Sequence, residues 1–515
     1  MNSAVKIKLL KYKIMNLFRF KNLSSICVNV LFIIGFAILL QSCKEKSKVN
    51  DSSVTAIEEE PNLKGYTEYY QVETGEPVAL VFASYKTTML ADGKDQSLLR
   101  ISATDSSGME IKNIHKPFKI SVKGDARVSA EDGSELKQVS QSDTLSVWQS
   151  NIENGVQKLY LIAGKTVDRI QVEVSSEGLR NASHEIHTIP DDVELLQPTA
   201  DQITPSSKIT PEMLGADISF LPQLEARGMK FYDKGVEKDA ISILKDHGLN
   251  YVRLRIFVNP ENPQGYSPEK GFCDLDHTLA MAKRVKDAGM NLLLDFHYSD
   301  TWADPQKQFK PKAWEGLDFN QLKTQLNTYT KSVLNKLKAQ GTLPDMVQVG
   351  NEINHGMVWP EGHISNLDNL AGLLKSGVSA VREVDPEITV MMHLALGGQN
   401  EETVFWFDNM IARGVEFDII GLSYYPIWHC TLDDLNSNAH DLINRYQKDV
   451  NVVEYSAFKK AVNDLAFSLP DDRRNGTCIW EPLNTWSKIF DEEGRPLEEL
   501  EYYDQFALDY LMKKD

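Results

Sequence analysis

Cysteine is scarce in this chain, with five among 515 residues. Cys273, Cys430 and Cys478 stand far apart and are odd in number, which excludes a disulfide framework and offers no zinc-ligand spacing, so they read as buried thiols. Positive charge is short too. The formal net charge of −18 excludes nucleic acid as a partner, because that needs basic surface. No glycine-rich phosphate loop opens any helix-like segment, so a dinucleotide-binding open sheet has no support. The apolar run "ICVNVLFIIGFAILL" stops at 15 residues, 26–40, short of the roughly 20 that a spanning helix needs.

What is present changes along the chain. Acid is missing from residues 1–42, which hold Lys6, Lys8, Lys11, Lys13, Arg19 and Lys21 ahead of the apolar run. This is the layout of an export signal. The run ends in "LQSC", which resembles the bacterial lipoprotein cleavage box, with Cys43 as the lipidated first residue. The expectation is a signal peptide over 1–42 and a lipid anchor in the outer membrane, facing the cell surface. Residues 43–65 are polar with little to bury and read as a flexible tether.

Residues 66–190 alternate with period two. Leu99, Ile101 and Ala103 alternate with polar neighbours, as do Phe118, Ile120 and Val122, and Ile170, Val172 and Val174. Asp92-Gly93, Ser107-Gly108, Asp132-Gly133 and Asn154-Gly155 supply turns. Short alternating strands with regular turns predict a β-sandwich. The stretch resembles the immunoglobulin-like modules attached to bacterial polysaccharide-degrading enzymes. It carries no cluster of exposed aromatics, and reads as a spacer between membrane and enzyme. Residues 191–207 read as a linker.

From 208 to 515 the pattern becomes helix, glycine, apolar strand, repeated. Gly248, Gly289, Gly341 and Gly414 sit where a helix C-cap glycine belongs, and each following strand is a near-continuous apolar run, as in a covered parallel sheet. Eight such strands, near 214–219, 250–257, 291–297, 345–351, 388–394, 417–424, 450–454 and 476–480, predict a (β/α)₈ TIM barrel, so the chain as a whole is multi-domain. A doubly wound open sheet is the alternative.

Barrel enzymes work at the C-terminal ends of their strands. Those ends carry Arg253 and Arg255, Asp295 and His297, Asn351 and Glu352, His393, Tyr424 and Tyr425, Glu454, then Trp480 and Glu481. Glu352 and Glu454, on the fourth and seventh strands, face one another across the mouth. A pair of carboxyl groups about 5 Å apart is what retaining glycoside cleavage requires. Asn351 is placed to bind a sugar 2-hydroxyl, Arg255 to keep Glu454 ionised, and Tyr425 to donate to the same carboxylate. Trp302, Trp359 and Trp480 offer flat faces for pyranose rings, whereas Trp314 and Trp406 read as core. Asp295, His297, Asn354, His393 and Tyr424 complete the expected substrate contacts, and His355 has no assigned role.

The motifs "GADISFLPQLEARG", "YVRLRIFVNP", "LLLDFHYSDTWADPQKQ", "MVQVGNEINHGMVWPEG", "DIIGLSYYPIWH", "VVEYS" and "WEP" resemble, in order, glycoside hydrolase family 53, the arabinogalactan endo-β-1,4-galactanases. The resemblance implies that Glu352 is the acid/base and Glu454 the nucleophile, that the substrate is the β-1,4-galactan of pectin, and that no organic cofactor is used. Calcium is possible by family. The short "PDDRRNG" offers no oxygen-ligand loop, so no metal is expected. "EYSAFKK" departs from the residues usual after the nucleophile. Other readings are a related endo-glycosidase on mannan or glucan, and an inactive surface glycan-binding protein. Oligomeric state is open.

Overall fold

The computed structural model describes residues 63–512, apart from 143, 207–209 and 471. The export signal, Cys43 and nearly all of the expected tether lie outside the described residues.

Ten strands make the N-terminal part. They are β1 (Ala79–Ser84), β2 (Thr88–Leu90), β3 (Gln96–Thr104), β4 (Lys116–Lys123), β5 (Ala126–Ala130), β6 (Lys137–Gln141), β7 (Leu145–Ile152), β8 (Val156–Ala163), β9 (Arg169–Ser175) and β10 (Ala182–Ile189). One sheet runs β1-β3-β8-β5 and the other β2-β10-β9-β4-β7-β6. In β9 the alternation reads directly: Ile170, Val172 and Val174 are buried while Arg169, Gln171 and Glu173 are exposed. They join Phe82, Leu99, Ile101, Phe118, Ile120 and Leu159 in one core, and each such side chain stabilises the fold by about 1.5–3 kcal/mol.

Eight parallel strands then close a barrel in chain order: Met213–Asp217, Tyr251–Ile256, Asn291–Phe296, Met346–Val349, Thr389–Leu394, Ile419–Tyr424, Asp449–Tyr455 and Arg474–Trp480. The four C-cap glycines all have positive φ, from 68° at Gly289 to 87° at Gly248, which only glycine adopts without strain. Met213, Tyr251, Leu293, Met346, Met391, Ile419, Val453 and Cys478, one from each strand, form an apolar layer inside the barrel. Side chains in a strand alternate between faces. Two residues further up, the inward positions include Arg253, Asp295, Gln348 and His393, so a polar layer lies directly on the apolar one.

The N-terminal part is not a free spacer, as its sequence suggested. Thr87 Oγ1 donates to Glu402 Oε1 (2.8 Å) of a barrel helix and lies 2.9 Å from His355 Nε2. His187 stacks on His355 with ring centroids 3.9 Å apart, and its Nδ1 is 3.0 Å from His363 Nε2. The Arg169 guanidinium lies 4.7 Å over the Trp359 ring. Thr87, His187, His355, Trp359 and Glu402 are buried in this contact. Burial pushes the Glu402 carboxyl up to about 7, His355 down to about 3 and His363 down to about 4.

The chain also meets the barrel before the first strand. Residues Lys64–Tyr69 form a helix, not the start of a strand. It lies against the barrel helix Lys459–Phe467 so closely that a Cβ on Gly65 would sit 2.5 Å from Lys460 Cβ. Tyr66 N donates to Asp464 Oδ2 (3.1 Å), and the Tyr69 ring meets Phe458 edge-on at 4.6 Å. Phe458 and Lys460 belong to the unusual "EYSAFKK" run, whose Phe458-Lys459-Lys460 end thus holds this helix.

Candidate active site

A cavity of about 630 Å³ opens at the C-terminal rim of the barrel. Arg253 organises its floor, using every guanidinium N–H. Nε donates to Gln348 Oε1 (2.6 Å), Nη1 to Asp217 Oδ2 (3.0 Å) and Glu454 Oε1 (2.7 Å), and Nη2 to Asp295 Oδ2 (2.9 Å) and Asn351 Oδ1 (2.8 Å). Tyr425 donates to the other Glu454 oxygen (2.9 Å). The expectation that Arg255 holds Glu454 is corrected. Arg255, one inward position higher, donates to Glu481 Oε1 (2.5 Å) and lies 4.4 Å over the Trp302 ring.

Glu454 reaches the cavity through an irregularity. Val453 belongs to the interior layer and Tyr455 to the layer outside the barrel. Plain alternation would turn Glu454 outward. Register shifts against both neighbouring strands, between Gly421 and Ser423 and between Val452 and Tyr455, mark a bulge, which re-aims a side chain. Glu352 arrives differently. The strand ends at Val349, and Glu352 itself takes a left-handed backbone, φ 47° and ψ 54°, a conformation costly for a residue with a side chain.

One carboxylate oxygen of each glutamate and a ring nitrogen of His393 lie within 4.8 Å of one another. Burial pushes both carboxyls up. At Glu454 the Arg253 charge and the Tyr425 hydroxyl act against that rise. Glu352 has the Glu454 charge adding to it and chiefly the Ser423 hydroxyl, 2.8 Å away, opposing it. A proton shared by the pair therefore rests on Glu352. The same three groups have metal-ligand spacing. The His393 nitrogens have close polar neighbours, Nδ1 at 3.0 Å from Asn351 Oδ1 and Nε2 at 2.8 Å from Ser423 Oγ.

Asn351, Asn354, His297, Trp302, Tyr425, Trp480 and Arg255 line the cavity with both glutamates. Asp295 and His393 are fully buried and do not line it. Burial alone would raise the Asp295 carboxyl, but Arg253 and His297 more than reverse this and hold it low. Tyr424 is placed elsewhere. It shares a face with Ile420 and Leu422 in the core outside the barrel, and Ser423 takes the inward position. Trp359 is also away from the cavity, buried against His187 and His363 with Nε1 donating to His355 O (2.9 Å). His355 joins the contact with the N-terminal sheets and reaches the cavity edge.

Sequence reasoning did not single out Asp217, Phe220, Trp428 or Trp486, all of which line the cavity. Trp486 is 54% exposed and meets Trp480 edge-on at 5.0 Å; Trp428 is 36% exposed. A signal existed, because each tryptophan follows a strand-end residue within five positions.

A closed eight-stranded barrel with a buried glutamate pair across its mouth defines a barrel glycoside hydrolase. The sequence profile described as Glycosyl hydrolase family 53 matches residues 213–489, and that of Glycoside hydrolase family 2 C-terminal domain 5 matches residues 80–185. The chain belongs to glycosyl hydrolase family 53. It is 37% identical over 267 residues to the arabinogalactan endo-beta-1,4-galactanase A of Aspergillus niger, covering 50% of this chain and 74% of that protein. It is 49% identical over 251 residues to a Niallia circulans protein, "Uncharacterized protein in bgaB 5'region", spanning 47% of this chain and 66% of that one. The solved "Ignisphaera aggregans GH53 catalytic domain" is 34% identical, with a TM-score of 0.53 over 58% of this chain and 98% of its own.

Proposed function

We propose that the protein is a retaining endo-β-1,4-galactanase acting on the galactan of pectin. The observation that carries this reading is the pair Glu352 and Glu454, with oxygens within 4.8 Å and unequal surroundings. That spacing suits double displacement, since inversion needs room for a water between the carboxyl groups. Glu454, held ionised by Arg253 and Tyr425, attacks the anomeric carbon. Glu352, holding the proton, gives it to the departing oxygen. Glu352 then takes a proton from water, which releases the sugar from Glu454. Asn351, oriented through Oδ1 by Arg253, faces the ring hydroxyl next to the reacting carbon.

The galactanase relatives support galactan over other β-glycans. In this reading the N-terminal sheets are an immunoglobulin-like module, and Cys43 carries a lipid that keeps the enzyme at the outer cell surface, where a polymer can reach it. Protease shaving of intact cells tests the location. Product analysis on linear β-1,4-galactan, mannan and glucan tests the activity. Expected are galactan cleavage with a β-configured first product and loss of activity in Glu454→Gln. An α-configured first product or near-full activity in that variant would refute the mechanism; cleavage of mannan or glucan instead would refute the substrate.

A further inference from the structure

The substrate cavity is not made by the barrel alone. Ser183, His184 and Glu185, at the start of β10, form part of its wall. They are held rigidly, because β10 is pinned to the barrel by His187 and, through the parallel β2 pairing, by the Thr87–Glu402 contact. The wall is polar. Ser183 is exposed, and the Glu185 carboxylate is 3.1 Å from His187 Nε2. His184 pairs with Val172 and shares a face with Ile186, so its ring turns to the sandwich core, edge-on to Phe82 at 5.9 Å, while Ser183 and Glu185 share the opposite face with His187.

The position of the wall relative to the scissile bond follows from the barrel order. The sandwich contacts Gln306, His355 and Glu402, which belong to the segments after the third, fourth and fifth strands, on the side of Glu352. The aromatic group Trp480, Trp486 and Phe220 stands on the side of Glu454. Glu352 protonates the departing oxygen, so the chain beyond that oxygen runs toward the sandwich.

We infer that Ser183 and Glu185 form a binding site for the leaving-group galactosyl units, so that the sandwich sets how much chain the enzyme grips beyond the cleaved bond. The inference rests on the galactanase reading. A sugar hydroxyl pairs with the exposed Ser183 hydroxyl, and vicinal hydroxyls suit the Glu185 carboxylate, as in other sites that fix a ligand by a few placed polar groups.

The test compares the full chain with its variants Glu185→Gln, Ser183→Trp and, as a remote control on exposed β6, Lys137→Ala. The readout is kcat/KM for a reducing-end-labelled galactohexaose divided by kcat/KM for an aryl β-galactobioside, whose small leaving group does not reach the wall. Losing one such hydrogen bond lowers this ratio by about ten-fold, and the products from the hexaose shift toward shorter labelled fragments. Ser183→Trp, at an exposed position, lowers the ratio by obstruction and does not depend on a core change. Lys137→Ala leaves the ratio as in wild type. An unchanged ratio in both wall variants overturns the inference, as does a shift that alters only the unlabelled, non-reducing side. If wild type cleaves a different β-glycan, the galactan reading fails and the same comparison with that glycan's hexaose still decides the wall.

Discussion

Arg253 Nη1 lies 2.7 Å from Glu454 Oε1, while Arg255, two residues along the same strand face, is committed to Glu481 at 2.5 Å. The sequence offered Arg255 as the partner of Glu454, yet the two arginines serve different carboxylates. Arg253→Lys keeps the charge but gives up the fork that reaches five acceptors. The expected result is a fall in kcat of about 100-fold or more, with a stability loss of about 3–5 kcal/mol from buried carboxylates left unpaired. The Arg253 charge, 2.7 Å from Glu454, lowers the pKa of that carboxyl; the shorter lysine, without the fork, holds its charge farther away, so the acidic limb of the kcat/KM profile moves to higher pH. Arg255→Lys leaves that limb in place. Steady-state kinetics from pH 4 to 9 with urea unfolding checks both.

The basic limb belongs to Glu352, which must be protonated to act. The Ser423 hydroxyl favours its ionised form and so lowers its pKa. Ser423→Ala removes that effect, and the basic limb should move to higher pH. A downward move would show that Ser423 acts on Glu352 by another route, and the same profile measurement distinguishes the two.

The tryptophans divide by place. Trp486→Ala and Trp428→Ala remove stacking faces from the cavity, and KM for galactan should rise about five- to ten-fold, at about 1–1.5 kcal/mol per lost face. Trp359→Ala should leave KM alone and loosen the contact with the sandwich, read as faster proteolysis between the two parts. An equal rise in KM for Trp359→Ala would return that residue to the cavity.

The histidines at the sandwich contact make its stability depend on pH. His355 and His363 have folded values of about 3 and about 4 against 6.5 in the free side chain. Their contribution is intact above pH 6.5 and is lost as pH falls toward those values. Glu402, raised to about 7, works in the opposite sense: it stabilises the fold below its ordinary range near 4.5 and fades as pH rises through 7. His355→Gln is neutral at every pH. Relative to wild type it should lose less stability between pH 7 and pH 5, by about 2 kcal/mol at 1.4 kcal/mol per pH unit. Denaturant midpoints of both proteins at the two pH values measure the difference.

Much of this protein was determined by local sequence. Strand alternation in β9, apolar runs between helices and glycines past helix ends are properties of a few consecutive residues, and they mark the sandwich and all eight barrel strands. The placement of Glu352 and Glu454 at strand ends was legible for the same reason. Tertiary structure decided what depended on height and facing within the barrel. A bulge that no residue type announces turns Glu454 inward, plain alternation sends Tyr424 outward, and one step of height separates the partners of Arg253 and Arg255. It decided also what joins distant segments. Thr87 and Glu402, or Gly65 and Lys460, meet across hundreds of residues. Such contacts leave no period in the sequence, because what selects them is the fit between two finished surfaces.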